Sequence, residues 1–365
     1  MLAPVFVSHD LYRQAGYGAH HPLAIARVGP VMDLCRALGW LDEDNYRVSP
    51  RASDDQLAAF HTREYIRALR RASESGQVDA EARRRHALGT MENPLFAGLF
   101  ERAATSVGGS ILAAELALQG RVAFHPAGGT HHGRPDRASG FCYFNDPVFA
   151  ILTLLGAGLD RVLYVDLDAH HCDGVQDAFA RDARVHTVSI HEQGRWPHSG
   201  GASGERACNL PVPREFNDSE LEALMEGVVM PLARRMRPQA MVITCGADAL
   251  AGDPLSHMAL SNVALWSAVE RLAASARAAV VLGGGGYNPW TVARYWTGLW
   301  GTLSGRRIPA LLPPAARAIL AALDCDLVED EERQACWLTT LADAPNPGPL
   351  RPPVAALLEE SRELA

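Results

Sequence analysis

The sequence contains no lysine: all 34 of its basic residues are arginine. That absence excludes Schiff-base catalysis and a P-loop lysine. Positive charge is also scarce. Acidic residues number 42 and the net charge is −8, which argues against a general binder of nucleic acid or anionic membrane. No apolar run approaches the roughly 20 residues of a membrane span, so no integral membrane segment is expected. The opening Met1-Leu2-Ala3-Pro4-Val5 has no basic region ahead of a long apolar stretch, so no signal peptide is expected. Cysteine spacing is uninformative in a useful way. The seven cysteines are an odd number without C-x-x-C spacing, which argues against a disulfide scaffold or a thiolate zinc site. A reducing cytoplasm is the expected location.

What is present is ordinary globular material: 365 residues, 48% of them hydrophobic. Short apolar runs read as buried strands over Val5–Ser8, Val122–His125, Arg161–Asp166, His186–His191, Ala240–Cys245 and Ala279–Leu282. Helical patterns lie between them, over Phe96–Leu118, Pro147–Leu155, Ser219–Arg235 and Ser261–Ala276. Such alternation predicts an α/β fold with a parallel sheet and helices on both faces. No linker divides the chain, so a single domain over 1–365 is expected. Its chemistry-bearing motifs span 17–288, and a C-terminal helical segment covers about 305–365. The Pro-rich stretch Ala344–Pro349 reads as a surface connection before a short C-terminal helix. The run Arg83-Arg84-Arg85-His86 reads as a solvated face.

In parallel sheets, ligands bind outside the carboxyl ends of the strands. Unusual polar residues follow four of the predicted strands: His131-His132, then Asp168, His170 and Asp173, then Asp248, then Gly283–Gly286 with Tyr287. Asp168 and His170 are two apart, so on an extended segment they share one side and reach one ion. Asp248 supplies a third ligand from another strand. Two carboxylates and one imidazole leave a coordination position for water, as hydrolytic zinc requires. His131 and His132 can divide the acid and base work if their tautomers are fixed, and Asp166 and Asp173 are the spare carboxylates to do so. The glycine run lacks G-x-G-x-x-G spacing and reads as a tight turn carrying Tyr287 toward the metal. A phenol there donates to an oxyanion developing on an attacked carbonyl.

With these residues in view, the chain resembles the zinc-dependent histone deacetylase superfamily, in its bacterial acetoin-utilisation-type branch. The matching stretches are Tyr17–Pro22, Arg27, His131-His132, Ser139–Asp146, Asp166–Gly174, Gly246–Asp248 and Gly283–Asn288. The resemblance implies an arginase-like α/β fold with a central eight-stranded parallel sheet. It implies one catalytic Zn²⁺ on Asp168, His170 and Asp248, with His131 paired to Asp166 and His132 to Asp173. His132 is then the principal base and acid, His131 its electrostatic partner, and Tyr287 the group that polarises the acyl carbonyl. Gly140 and Phe141 line one wall of an acyl-lysine tunnel, opposite Trp196. Leu255 stands at its rim, and Arg27 lies along an internal channel for acetate. A structural K⁺ is also implied, on Asp166, Ser189 and the backbone carbonyls of Asp168 and His170. Two departures stand out. The turn that grips the substrate backbone often carries Asp, and here reads Glu92-Asn93-Pro94, which changes the carboxylate's reach. Trp196 stands where phenylalanine is common.

Competing readings remain distinguishable. An arginase-type ureohydrolase needs D-x-H-x-D and a later D-x-D for two Mn²⁺ ions, but Asp173 falls three after His170 and Asp248 is next followed by acid at Asp253. An inactive acyl-lysine-binding module would be favoured by loss of Tyr287, Asp248 or either histidine, and all are present. The expected substrates are acetylated lysine in protein or peptide, or a small acetylated amine. An acid at Leu255 would favour a cationic acetylpolyamine, and leucine does not. Oligomeric state is not legible in the sequence.

Overall fold

Every second side chain of a buried strand faces the same way, and here both sets are apolar. In β1 (Val5–Ser8) Phe6 faces one core while Val5 and Val7 face the other. The same alternation runs through β3 (Val122–His125), β4 (Val162–Asp166), β7 (Ala240–Thr244) and β8 (Ala278–Leu282). A sheet apolar on both faces must be covered twice, so helices pack on each side of it. The computed structural model describes residues 2–14, 16–18, 21–329 and 331–362. Ala19 and His20 of the motif at 17–22 lie outside the described residues.

The sheet has eight strands, all parallel, in the order β2 (Tyr46–Val48), β1, β3, β8, β7, β4, β5 (Val185–Glu192) and β6 (Ala207–Val212). Beside the six strands legible in the sequence, including β5, stand β2 and β6. These two are the sheet's edges, and the reason they escape a pattern search is physical. β2 is three residues long and partly exposed. β6 carries Asn209 and Pro211, and a proline is tolerated only where no ladder bond is lost.

Helix ends also follow local chemistry. The helix expected from Phe96 starts at Leu99, because Gly98 at φ 76° is left-handed and stops propagation. The helix expected over Ser219–Arg235 starts at Asp218 under an Asn217–Glu220 capping box and is interrupted by a wide π-turn at Met225–Val229. Pro231 has no N–H for the ordinary bond, and the wide turn just before it absorbs the defect.

Beyond the last strand, the helix Pro289–Leu303 is capped by Asn288 and crosses the core. Its Arg294 is fully buried, 2.6 Å from Asp343, and donates to the Thr340 carbonyl. The C-terminal segment is thus tied to the domain rather than draped over it. The Pro-rich stretch is on the surface, as expected, and Asn346 anchors it to Asp218 and the Ala259 carbonyl. The expected helix follows at Pro352–Ser361. One reading needs correction. Arg83–Arg85 are solvated, but His86 is buried, its Nδ1 2.6 Å from the Asp136 carbonyl. It lies on the inner face of its helix and pins the loop before the tunnel wall.

Candidate metal and acyl-transfer site

The four strands β3, β8, β7 and β4 are consecutive in the sheet, at its centre. Their carboxyl ends therefore deliver His131-His132, the glycine run, Asp248 and Asp166–Asp173 to one place. Ligand atoms of Asp168, His170 and Asp248, all buried, lie within 4.8 Å of one another. His170 Nδ1 is 3.1 Å from Asp168 and 2.9 Å from Asp248.

Backbone donors orient these side chains. Asp168 accepts from Gly285 N–H at 2.6 Å, and Asp248 from Ala169 N–H at 3.1 Å. The glycines of β8's turn make room for the carboxylates. A Cβ on Gly284, at φ 143°, would sit 2.8 Å from Asp168 Oδ2, and one on Gly285 would run into Asp248. Electrostatics create a demand for positive charge at this point. Burial opposes ionisation of His170, yet Asp168 and Asp248 outweigh it and push the imidazole up to about 10. Burial and the facing Asp168 raise Asp248 above the usual carboxylate range. Two carboxylates, one imidazole and a backbone cradle fit a divalent metal of the zinc type.

Each histidine of the pair has its own carboxylate. His131 Nδ1 is 2.6 Å from Asp166, and His132 Nδ1 is 2.7 Å from Asp173. Asp173 is also paired to Arg134. These bonds orient both rings, and His131 Nε2 also lies 3.8 Å from Asp168. The environments then separate the two. Burial pulls His131 down, but Asp166 and Asp168 outweigh it and push it up to about 9. Burial and the His131 charge push His132 down to about 3 despite Asp173. The stretch Ser139–Asp146 holds this loop from below: Asn145 donates to the His131 carbonyl at 3.0 Å, and Asp146 accepts from Thr130 N–H at 2.8 Å.

Two chambers meet here. An outer one of about 690 Å³ is lined by Glu92, Trp196 and Leu255 among others, and an inner one of about 130 Å³ by Arg27, Arg102 and Tyr17. They share His132, Gly140, Phe141, His170 and Tyr287, so these residues form the waist. Gly140, at φ 54°, has the Trp196 ring and His132 where a Cβ would stand, the latter at 2.6 Å. Phe141 and Tyr287 are edge to face at 6.0 Å, and Tyr287 faces His170 at 6.5 Å. Burial and then Asp248 push the Tyr287 phenol well above its usual range, so it stays a donor. Arg27 donates to the Gly284 carbonyl and lies 5.0 Å over the Trp296 ring.

All the catalytic and metal residues expected from the sequence converge, and so do Gly140, Phe141, Trp196, Leu255 and Arg27. Glu92 differs in detail: its carboxylate turns inward and accepts from Gly140 N–H, while Asn93 accepts from Phe141 N–H at 3.1 Å. The longer side chain braces the tunnel wall. Ser189 sits beside Asp166 in strand register, with its hydroxyl 2.9 Å from His191. Residues not anticipated are Arg102 in the inner chamber and Asp253 behind Tyr287. The only sequence signal for Asp253 was its acid type near Asp248.

Comparison with known proteins agrees with this geometry. Residues 21–303 match the histone deacetylase domain. The chain is 35% identical to histone deacetylase 8 of Xenopus tropicalis over 298 residues, 79% of this chain and 80% of that one. It is 34% identical to the acetoin utilization protein AcuC of Bacillus subtilis over 330 residues, 85% of this chain and 84% of that one. A crystal structure of an HDAC homolog from Aquifex aeolicus matches with a TM-score of 0.93 and 35% identity, over 99% of this chain and 100% of that one. An HDAC homolog solved in complex with SAHA matches with the same TM-score, identity and coverage. The chain belongs to the histone deacetylase family of hydrolases, in its AcuC-like bacterial type.

Proposed function

We propose that this protein is a zinc-dependent deacetylase that hydrolyses the amide of an N-acyl-lysine, or of a related amine, to a carboxylate and a free amine. The observation that carries this is the buried triad Asp168, His170 and Asp248, of which His170 lines both chambers and Asp168 the inner one, within reach of a histidine pair and a phenol. Zinc held by those three residues would supply a Lewis acid and lower the pKa of water.

The protein's own groups then divide the work. His132, neutral near pH 7, takes the proton from water as oxygen adds to the acyl carbon. It returns that proton to the amine nitrogen as the C–N bond breaks. His131, whose charged form Asp166 favours, stabilises the negative charge that builds alongside. Tyr287 donates to the carbonyl oxygen as charge develops there. Gly140 and Phe141 on one wall and Trp196 on the other align the alkyl arm and exclude water. The two chambers give the products separate ways out: the amine retreats past Leu255, and the small carboxylate enters the inner chamber toward Arg27.

The first test is zinc content together with turnover of a fluorogenic acetyl-lysine peptide and of acetylpolyamines. We expect one zinc per chain and preference for the peptide, because leucine at 255 offers a cation nothing. Full activity after metal stripping would sink the reading. Glu92→Ala refines the substrate class. Its loss of the Gly140 brace lowers kcat/KM for every substrate, so the difference between substrates is what counts. A backbone grip adds about 1.5–3 kcal/mol of loss for peptides only. Equal losses would favour small acetylated amines.

We also propose a structural K⁺ on Asp166, Ser189 and the backbone carbonyls of Asp168 and His170. Asp166 and Ser189 lie side by side, and no backbone N–H among the described residues donates to the carbonyls of Asp168 or His170. Two carbonyls, a carboxylate and a hydroxyl form an all-oxygen donor set, and backbone carbonyls can replace the hydration shell of K⁺. KCl should therefore raise the melting temperature above its value in NaCl at equal ionic strength. Ser189→Ala should shrink that difference, and identical melting in both salts would refute the site.

A further inference from the structure

Tyr287 stands at the end of four consecutive glycines, two of them in left-handed or related conformations, Gly284 at φ 143° and Gly286 at φ 134°. Such a run places the carboxylates but fixes little of its own. The phenol therefore needs its backbone held from outside. Asp253 does this. It is 6% exposed, and one carboxylate oxygen accepts from Tyr287 N–H at 2.7 Å while the other accepts from Leu255 N–H at 2.9 Å. No arginine or histidine pairs with it among the described residues. A buried carboxylate without a counter-ion is a costly way to close a turn, so stability alone does not account for it.

The remaining contacts complete a grip. Asn288 donates to the Gly252 carbonyl at 2.9 Å, and the Cys325 thiol lies 3.7 Å from the Tyr287 carbonyl. Trp337 of the C-terminal segment packs under Gly252, where a Cβ would come within 3.0 Å of its ring.

We propose that Asp253 is a positioning residue for Tyr287, fixing the backbone from which the phenol projects and tying it to the tunnel rim at Leu255. This rests on the functional reading above. If Asp253 acts through Tyr287, its removal costs nothing once the hydroxyl is gone. The test is a double-mutant cycle of Asp253→Asn and Tyr287→Phe, with kcat and KM measured separately and zinc content checked. Asparagine turns an NH₂ toward one of the two backbone donors, so kcat should fall at least about 10-fold with KM nearly unchanged. In the Tyr287→Phe background the same change should alter kcat less than about 2-fold. Losses that multiply across the cycle would reduce Asp253 to a structural role and overturn the proposal. Should Asp253→Asn fail to fold, Asp253→Glu enters the same cycle, since it keeps the charge but displaces both acceptors. A 3-fluorotyrosine at position 287 gives a readout free of turnover. Its ¹⁹F resonance should shift or broaden in the Asp253 variant, and an unchanged signal counts against the proposal. An inactive wild type would instead overturn the functional reading, while the fluorine signal still reports on Asp253.

Discussion

Asp248→Ala is expected to abolish deacetylation and zinc retention together. Asp248 is fully buried at the end of β7, held by Ala169 N–H and facing His170 at 2.9 Å. Alanine leaves two ligands, and two residues from one short segment cannot close a tetrahedral site. Loss of a supporting contact alone typically weakens metal binding about 10–100-fold, and loss of a ligand costs more. A Lewis acid contributes several kcal/mol to the barrier, so activity should fall by about 10³-fold or more. The variant should still fold. Its removed carboxylate was held above its ordinary pKa by burial and by Asp168, so a repulsion goes with it. Melting with and without a chelator checks this: the wild type should lose stability on chelation and Asp248→Ala should not. A variant that binds zinc stoichiometrically would disprove the ligand assignment.

Tyr287→Phe is expected to lower kcat by roughly 10²–10³, the range for one donor at a developing oxyanion. The phenol remains protonated at any working pH, because burial and Asp248 hold it well above its usual range. Zinc content should be unchanged, since the hydroxyl belongs to no ligand. His132→Ala should cost at least as much, as it removes the proton carrier, whose contribution is typically about 10²–10⁴-fold. That variant also leaves a folded protein, because Asp173 keeps Arg134 as its partner. Retention of more than about half the wild-type rate by Tyr287→Phe would contradict its electrophilic role.

Much of the site was legible in the sequence because its chemistry is local to strand ends. Asp168 and His170 are two residues apart, His131 and His132 adjacent, and each follows an apolar run that reads as a buried strand. The glycine run announced a close approach, and the approach is that of two carboxylates. The central strands carried an unbroken apolar signal for the same reason: they are covered on both faces.

What the tertiary structure alone decided is adjacency. Residue patterns record periodicity along the chain and nothing of strand order, so only the order β3-β8-β7-β4 brings His131, Tyr287, Asp248 and Asp168 to one point. The edge strands β2 and β6 were silent, since an edge needs no continuous apolar face. Glu92 turned inward because the donor its carboxylate accepts from is a backbone N–H 48 residues away. His86 lies beneath a solvated arginine run, and Asp253 lies behind a tyrosine 34 residues downstream. Each of these depends on which distant backbone donor or acceptor is left unpaired, and that is known only when the chain has closed around it.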